Sequence, residues 1–134
     1  MSNQTLSYAM LRMITGLNVL MHSLTRLFDL SVFKKQIIHD FQNTILHESL
    51  LNIFSLTLPF LELIVGILLI LGLFTKQTLV VASLLIAVLI FGSSLAGNWT
   101  AVGLQMIYVL IYYVLLLNRD HNEFSLDHKF FPKG

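Results

Sequence analysis

The chain has 134 residues, of which 56% are hydrophobic and only 11% are charged, whereas a typical soluble domain carries about 25% charged residues. A soluble protein of this length leaves roughly a third of its surface exposed, so the composition excludes an ordinary soluble domain and predicts a protein that faces lipid. The net charge of +1 excludes a strongly basic nucleic-acid-binding protein, and the absence of cysteine excludes disulfide exchange and thiolate metal sites within the chain.

The first predicted span covers residues 8–28, and its polar residues share one side. With about 100° of rotation per residue, Arg12, Asn18, His22 and Arg26 fall in one half of the helix, and mainly Met and Leu fill the other. Because a charge on the lipid side at the bilayer centre costs at least about 2.5 kcal/mol, the polar half is expected to face other helices. The same polar residues are foreign to the apolar core of a signal peptide, so we expect the span to be retained.

The next segment, residues 29–49, is predicted to contain a helix that lies along the membrane surface. Its apolar positions recur every four residues, and charged residues stand between them. This mixture is typical of an interfacial amphipathic helix and not of a span. The apolar positions are Phe33, Ile37, Phe41 and Ile45, and the charged ones are Lys34, Lys35, Asp40 and Glu48.

Three further spans are predicted at about 50–74, 77–96 and 99–117, because a membrane helix needs about 20 mostly apolar residues. No charged residue stands between Lys76 and Arg119, which leaves room for two spans joined by a short glycine-containing turn. A polar tail, 118–134, follows the last span. The sequence therefore predicts an all-α protein of one domain, 1–134: an integral membrane four-helix bundle with an interfacial helix between spans 1 and 2.

The distribution of cations predicts that both termini lie in the cytoplasm. Short cytoplasmic loops carry an excess of Lys and Arg. The side that holds the termini has four cations and the opposite side has two. The four are Lys76, Arg119, Lys129 and Lys133, and the two are Lys34 and Lys35.

A cluster of polar residues is predicted inside the outer half of the bundle, away from the termini. Glu62 is the acidic residue within a predicted span, and a buried carboxylate must be paired or protonated. Arg26 and His22 are its available partners. Such a cluster serves as an ion pair that locks helices together, as a quinone or other small-molecule pocket, or as a proton path. We expect no metal, because no second intramembrane histidine accompanies His22. The expected members are Asn18, His22, Arg26, Glu62, Gln105 and Tyr108.

A second pair is predicted at the cytoplasmic end. Arg12 lies about one turn inside the membrane, and the acidic tail residues begin just beyond the last span on the same side. We expect Arg12 to pair with Asp127, and Ser125 to cap the turn that follows it. The alternative is a solvated tail and an Arg12 side chain that reaches out to water.

Four stretches of the chain carry patterns of a known family. The first span has M-H-S-L-T-R-L-F at 21–28, similar to H-G-x-x-K-L-F with serine and arginine in place of the family's Gly and Lys. The second has P-F-L-E-L-I-V-G and L-G-L-F-T within 59–75, which matches P-x-x-E-x-x-x-G…L-G-x-x-T. A looser F-G match stands at 91–92, and the tail has S-L-D at 125–127. In these stretches the chain resembles the DoxX family of small bacterial membrane proteins.

The resemblance implies four helices in a bacterial inner membrane and an association with redox processes, because the family is named for a subunit linked to quinone-dependent oxidation. Our first hypothesis is a subunit that supports or anchors a redox-linked membrane complex. It would bind partner proteins, or further copies of itself, without doing chemistry. The alternative is a quinone- or quinol-binding component of a membrane oxidoreductase, with a pocket in the outer half of the bundle. A transport role is a third hypothesis, and whether the chain is an enzyme stays open.

Overall fold

The regular structure of the chain is helical throughout the described part. A computed structural model describes residues 1–132. The tail residue Lys133, which enters the predicted cation count, lies outside the described residues. The helices are α1 (Asn3–Phe28), α2 (Leu30–Phe41), α3 (Glu48–Leu71), α4 (Thr75–Leu95), α5 (Trp99–Leu117) and α6 (Leu126–Phe130), with a 3-10 turn at Arg119–His121.

Within residues 1–132, three helices are long and apolar enough to cross a membrane, namely α3, α4 and α5. Their exposed faces carry large aliphatic and aromatic side chains, as expected of helices that face hydrocarbon. The chain is therefore a membrane protein, as predicted. With 26 residues α1 is longer than any of the three, but its polar half lowers its hydropathy. Its role as a fourth span stays a prediction.

The helices α1 and α3 cross at very short range because each presents a glycine to the other. A Cβ atom on Gly66 would lie 2.7 Å from the backbone nitrogen of Leu20, and one on Gly16 would lie 2.9 Å from that of Ile70. The helix α4 packs along α5, whereas α1 and α5 touch at few points. The bundle is therefore tight between α1 and α3 and loose between α1 and α5.

The two ends of the bundle differ in what covers them. At the end where α1 and α4 finish, which we call the α2 end, the helix α2 packs against α3. At the opposite end, the tail end, residues after α5 fold back onto the turn between α3 and α4. The core between them is apolar and consists of Tyr8, Val19, Val65, Leu69, Leu79, Ala82, Ile86, Tyr112 and Leu115.

The predicted helix within 29–49 is present, but it ends before the last residue of the apolar pattern. It begins after Asp29, whose Oδ1 accepts a hydrogen bond from the backbone nitrogen of Val32 at 3.2 Å, and it ends at Phe41. Thr44 Oγ1 donates to the Phe41 carbonyl at 2.7 Å, which satisfies one of the free carbonyls at the helix end. Ile45 therefore lies beyond α2, and its side chain is 88% exposed. The location of α2 at the membrane surface stays a prediction.

Candidate functional site

An ion pair joins the first and third helices near the α2 end. Arg26 Nη1 donates to Glu62 Oε2, and Glu62 is only 7% exposed. The guanidinium carbon of Arg26 also lies 5.0 Å from the centre of the Phe33 ring, so α2 takes part through a cation–π contact. The sequence left Arg26 and His22 open as partners of Glu62, and the structure selects Arg26.

Beside this pair, the Ser23 hydroxyl donates to the Pro59 carbonyl at 2.8 Å. Ser23 is fully buried and stands where the family resemblance has glycine. This contact is not among the sequence-based predictions. Its signal was a serine in the polar half of α1, at a position where the resembled motif has glycine.

A cavity of about 550 Å³ lies between α1, α3, α4 and α5, and the ion pair forms part of its wall. All six residues of the predicted cluster line it, so the structure brings the whole set together around one space. Most of the remaining wall is aliphatic. The lining residues are Leu11, Ile14, Thr15, Asn18, Val19, His22, Arg26, Glu62, Val65, Ala82, Leu85, Ile86, Leu89, Ala101, Leu104, Gln105, Ile107, Tyr108, Ile111 and Tyr112.

The polar side chains of this cavity connect neighbouring helices. The Tyr108 hydroxyl donates to Asn18 Oδ1 at 2.7 Å and links α5 to α1. Gln105 Nε2 donates to Ser93 Oγ at 2.9 Å and links α5 to α4. Gln105 Oε1 is buried without a hydrogen-bond partner among the described residues. The His22 imidazole lines the cavity and bonds to none of residues 1–132. Groups on two facing helices are therefore available to a ligand.

The cavity is polar at one end and apolar at the other. His22, Arg26, Glu62 and Gln105 lie towards the α2 end, and Asn18 and Tyr108 lie near the middle. The half towards the tail end is aliphatic, apart from one threonine and one tyrosine. Residues 1–132 contain no group of three or more His, Cys, Asp or Glu that could hold a metal ion. The arrangement suits a ligand that has a polar head and an apolar body.

At the tail end, Arg12 binds backbone carbonyls. The residue is 1% exposed, and Nη1 donates to the carbonyls of Leu69 and Ile70, the latter at 3.0 Å. Nη2 donates to the Phe124 carbonyl in the tail at 2.7 Å. The last carbonyls of a helix have no intrahelical partner, and the planar guanidinium supplies several donors to them at once. Arg12 therefore holds the tail to the end of α3.

The predicted pairing of Arg12 with Asp127 is wrong. The carboxylate of Asp127 accepts hydrogen bonds from the backbone nitrogens of Phe74 and Thr75 at 2.6 and 2.7 Å. These amides lie at the start of α4, where free N–H groups and the helix dipole favour a negative charge. Each residue thus binds the helix end of complementary polarity. The predicted cap by Ser125 is confirmed, because Ser125 Oγ accepts from the His128 nitrogen at 3.1 Å.

The turn between α3 and α4 fits these contacts because Gly72 has no side chain. Its φ angle is +65°, and a Cβ atom there would lie 2.5 Å from Arg12 Nη1 and 2.6 Å from Ser125 Cβ. The Gly72 carbonyl accepts a hydrogen bond from the Asp127 nitrogen at 2.9 Å. The L-G-x-x-T and S-L-D elements, distant in sequence, therefore form one joint. The contact between these two elements is not among the sequence-based predictions.

Comparison with known proteins places the chain in a family. The family model described as DoxX matches residues 7–99, from α1 to the first residue of α5. The matched range holds the joint residue Arg12 and the ion pair of Arg26 and Glu62, whereas Gln105 and Tyr108 lie beyond it. No curated protein and no solved structure matches the chain. Because the matched range covers most of the sequence and includes the motif around Glu62, the chain belongs to the DoxX family.

Proposed function

We propose that this membrane protein binds the head group of a quinone or quinol in the cavity between α1, α3, α4 and α5. Membership of the DoxX family associates the chain with redox-related membrane processes. The observation that carries the proposal is the cavity itself, whose aliphatic walls meet unpaired polar groups at one end. Binding sites for small molecules combine an apolar slot with a few well-placed polar groups in this way.

Each polar group has a role that suits a quinone ring. The His22 imidazole, which has no hydrogen-bond partner within residues 1–132, lines the cavity where it would donate to one carbonyl oxygen of the ring. Gln105 offers a buried oxygen without a partner, which would accept a hydrogen bond from the hydroxyl of a quinol. Arg26 bonds Oε2 of Glu62, so the other carboxylate oxygen remains for the ligand. The chain would bind and orient the ring, and electrons would come from a partner protein.

The proposal includes four spans, with both termini on the cytoplasmic side of a bacterial inner membrane and α2 at the opposite surface. The packing of α1 supports a fourth span. It follows α3 from Gly16, which lies against Ile70, to Arg26, which pairs with Glu62. These contacts are ten residues apart on α1 and eight on α3, or about 15 and 12 Å at 1.5 Å per residue. A helix that accompanies a span over this distance passes through the same hydrocarbon.

A second candidate function is the assembly of a redox-linked complex. Only Tyr112 and Leu115 of α5 are buried, and the opposite face of this helix exposes Leu110 and Leu117 at 61% and 67%. A helix with so little burial has room for a partner subunit. If the protein anchors a complex without binding quinone, a stoichiometric partner should remain bound to it after extraction in mild detergent. Quinone should then bind neither to this protein nor to the partner.

The test of quinone binding uses the purified protein in lipid nanodiscs, titrated with decylubiquinone and followed by calorimetry. We expect saturable binding of one molecule per chain. His22→Leu should weaken binding by about tenfold, which corresponds to about 1.4 kcal/mol. The neighbouring change Met21→Leu serves as the matched control, because Met21 is not part of the cavity wall, and it should leave affinity unchanged.

The same assay separates a ligand role of Glu62 from a purely structural one. Glu62→Gln keeps a hydrogen-bond acceptor for Arg26, so the variant should fold and reach normal abundance in the membrane. If Glu62 serves the ligand, decylubiquinone affinity should fall in this folded variant. Absence of saturable binding to the unmodified protein would overturn the quinone proposal.

A further inference from the structure

The cavity opens sideways, between α1 and α5. Its inner wall is buried, with Val65 and Ala82 at 3% and 2% exposure. Its rim is exposed on two facing helices, with Ile14 at 60% on α1 and with Leu104 and Ile107 at 59% and 53% on α5. These three rim residues are aliphatic, and the exposed polar residues of the rim on α1 are Asn18 and His22. The opening therefore faces the hydrocarbon in which such side chains are stable, and not an aqueous compartment.

One hydrogen bond crosses this opening. The Tyr108 hydroxyl reaches from α5 to Asn18 Oδ1 on α1 at 2.7 Å. One turn towards the α2 end lie His22 and Gln105, and one turn towards the tail end lie aliphatic residues that include Ile111. The bond divides the opening into a polar window and an apolar window, and it ties together two helices that otherwise touch little.

The cavity is also long. Along α1 its lining extends from Leu11 to Arg26, which is 15 residues or about 22 Å at 1.5 Å per residue. Its volume of about 550 Å³ lies in the range of pockets that hold one small-molecule ligand. This length suits a ligand in which one ring carries an extended hydrocarbon chain.

We infer that the ligand is a quinone with a single hydrocarbon chain, and that this chain lies in the tail-end half of the cavity. This inference rests on the proposed function. The molecule enters from the bilayer through the side opening. Its ring stops at the Glu62–Arg26 pair, and its chain extends past the Asn18–Tyr108 bond towards Leu11 and Ile111. The aliphatic wall of this half gives the chain an environment equivalent to the lipid that it leaves, so binding specificity comes from the ring.

The test locates the hydrocarbon chain of the quinone directly. A comparison of quinones with different chain lengths would not do so, because chain length also changes how strongly a quinone partitions into lipid. A decylubiquinone analogue with a diazirine at the end of its chain is irradiated with the protein in nanodiscs, and labelled residues are mapped by mass spectrometry. Specific labelling is the labelling that excess decylubiquinone abolishes, and it should fall near Ile14, Leu85 and Ile111. Specific labelling confined to the α2 end or to the outer face of α4 would overturn the inference while the proposed function stands. Absence of any specific labelling would overturn both.

A pair of substitutions provides an independent measurement. Ile111→Trp fills the apolar half of the cavity, whereas Leu110→Trp places the same ring on the adjacent residue, which does not line it. We expect Ile111→Trp to weaken decylubiquinone binding at least tenfold and to leave the binding of the chainless quinone, coenzyme Q0, unchanged. The control should bind both ligands normally. If Ile111→Trp binds decylubiquinone as the control does, or if it loses both ligands while remaining folded, the hydrocarbon chain of the quinone does not lie in the tail-end half of the cavity.

Discussion

Replacing Arg12 by methionine should weaken the tail end of the bundle without disturbing the cavity. The side chain is almost completely buried, and its guanidinium is shared between the end of α3 and the tail. Methionine has a similar length and fits an apolar helix. The substitution therefore removes the donors while largely keeping the packing volume.

The expected loss follows from the carbonyls that would lose their donor. The Leu69 carbonyl keeps a hydrogen bond from the Gly72 nitrogen at 3.3 Å, but those of Ile70 and Phe124 lose the contact with Arg12. A buried polar group left without a partner costs about 1–3 kcal/mol. The removal of Arg12 also eliminates its own buried Nε, which has no partner. Two such carbonyls together would cost about 2–6 kcal/mol, and the loss of the unpartnered Nε offsets part of this cost. We therefore expect a net loss of about 2–3 kcal/mol in the free energy of unfolding.

The assay is reversible unfolding in mixed micelles of dodecyl maltoside and SDS, followed by the loss of helical circular dichroism. Limited trypsin digestion reports on the tail. Lys129 is exposed but lies in α6, so cleavage there should become faster when the released tail unfolds. Arg12→Lys keeps the charge but not the planar set of donors, so it should recover only part of the stability. Lys76→Met removes an exposed cation at the same end and should change stability by less than about 0.5 kcal/mol.

One result would refute this reasoning. If Arg12→Met unfolds at the same SDS fraction as the unmodified protein, and if its tail resists trypsin equally, then the Arg12 contacts do not hold the tail. The tail would then depend on Asp127 and on apolar packing. An equal loss in Lys76→Met would show instead that the effect comes from general charge and not from the joint.

Three further predictions concern other parts of the structure. Gly66→Ala should destabilise the protein by about 1–3 kcal/mol through overpacking against α1. Its control is Gly103→Ala, which lies in open space on α5 and should stabilise the protein by about 0.5–1 kcal/mol. The same SDS titration measures both changes. Asp127→Ala should remove the N-terminal cap of α4 at a cost of about 1–2 kcal/mol and raise amide hydrogen exchange at the start of that helix. Single cysteines at Asn98 and Lys133 should react with an impermeant thiol reagent on intact cells at Asn98 only, and the opposite pattern would reverse the proposed orientation.

The sequence determined the class of the protein and most of its helices. A run of apolar residues without charge has few stable solutions other than a membrane helix, so α4 and α5 follow from composition and length. The polar half of α1 also followed, because its helical period places those residues on one side. The need of Glu62 for a partner followed as well, since a buried carboxylate is costly wherever it lies. Each of these properties depends on a single segment and on whether that segment is surrounded by lipid, protein or water.

The tertiary structure decided what depends on distances between segments. It selected Arg26 as the partner of Glu62. It directed Arg12 to the carbonyls at the end of α3 and Asp127 to the backbone amides at the start of α4. The reason is that free backbone groups at helix ends compete with side chains as partners, and their positions appear only when the helices are assembled. The cavity has the same origin: the glycines hold α1 so close to α3 that a gap remains beside α5. Helical periodicity gives the direction of a side chain, but the spacing of the helices decides what it meets.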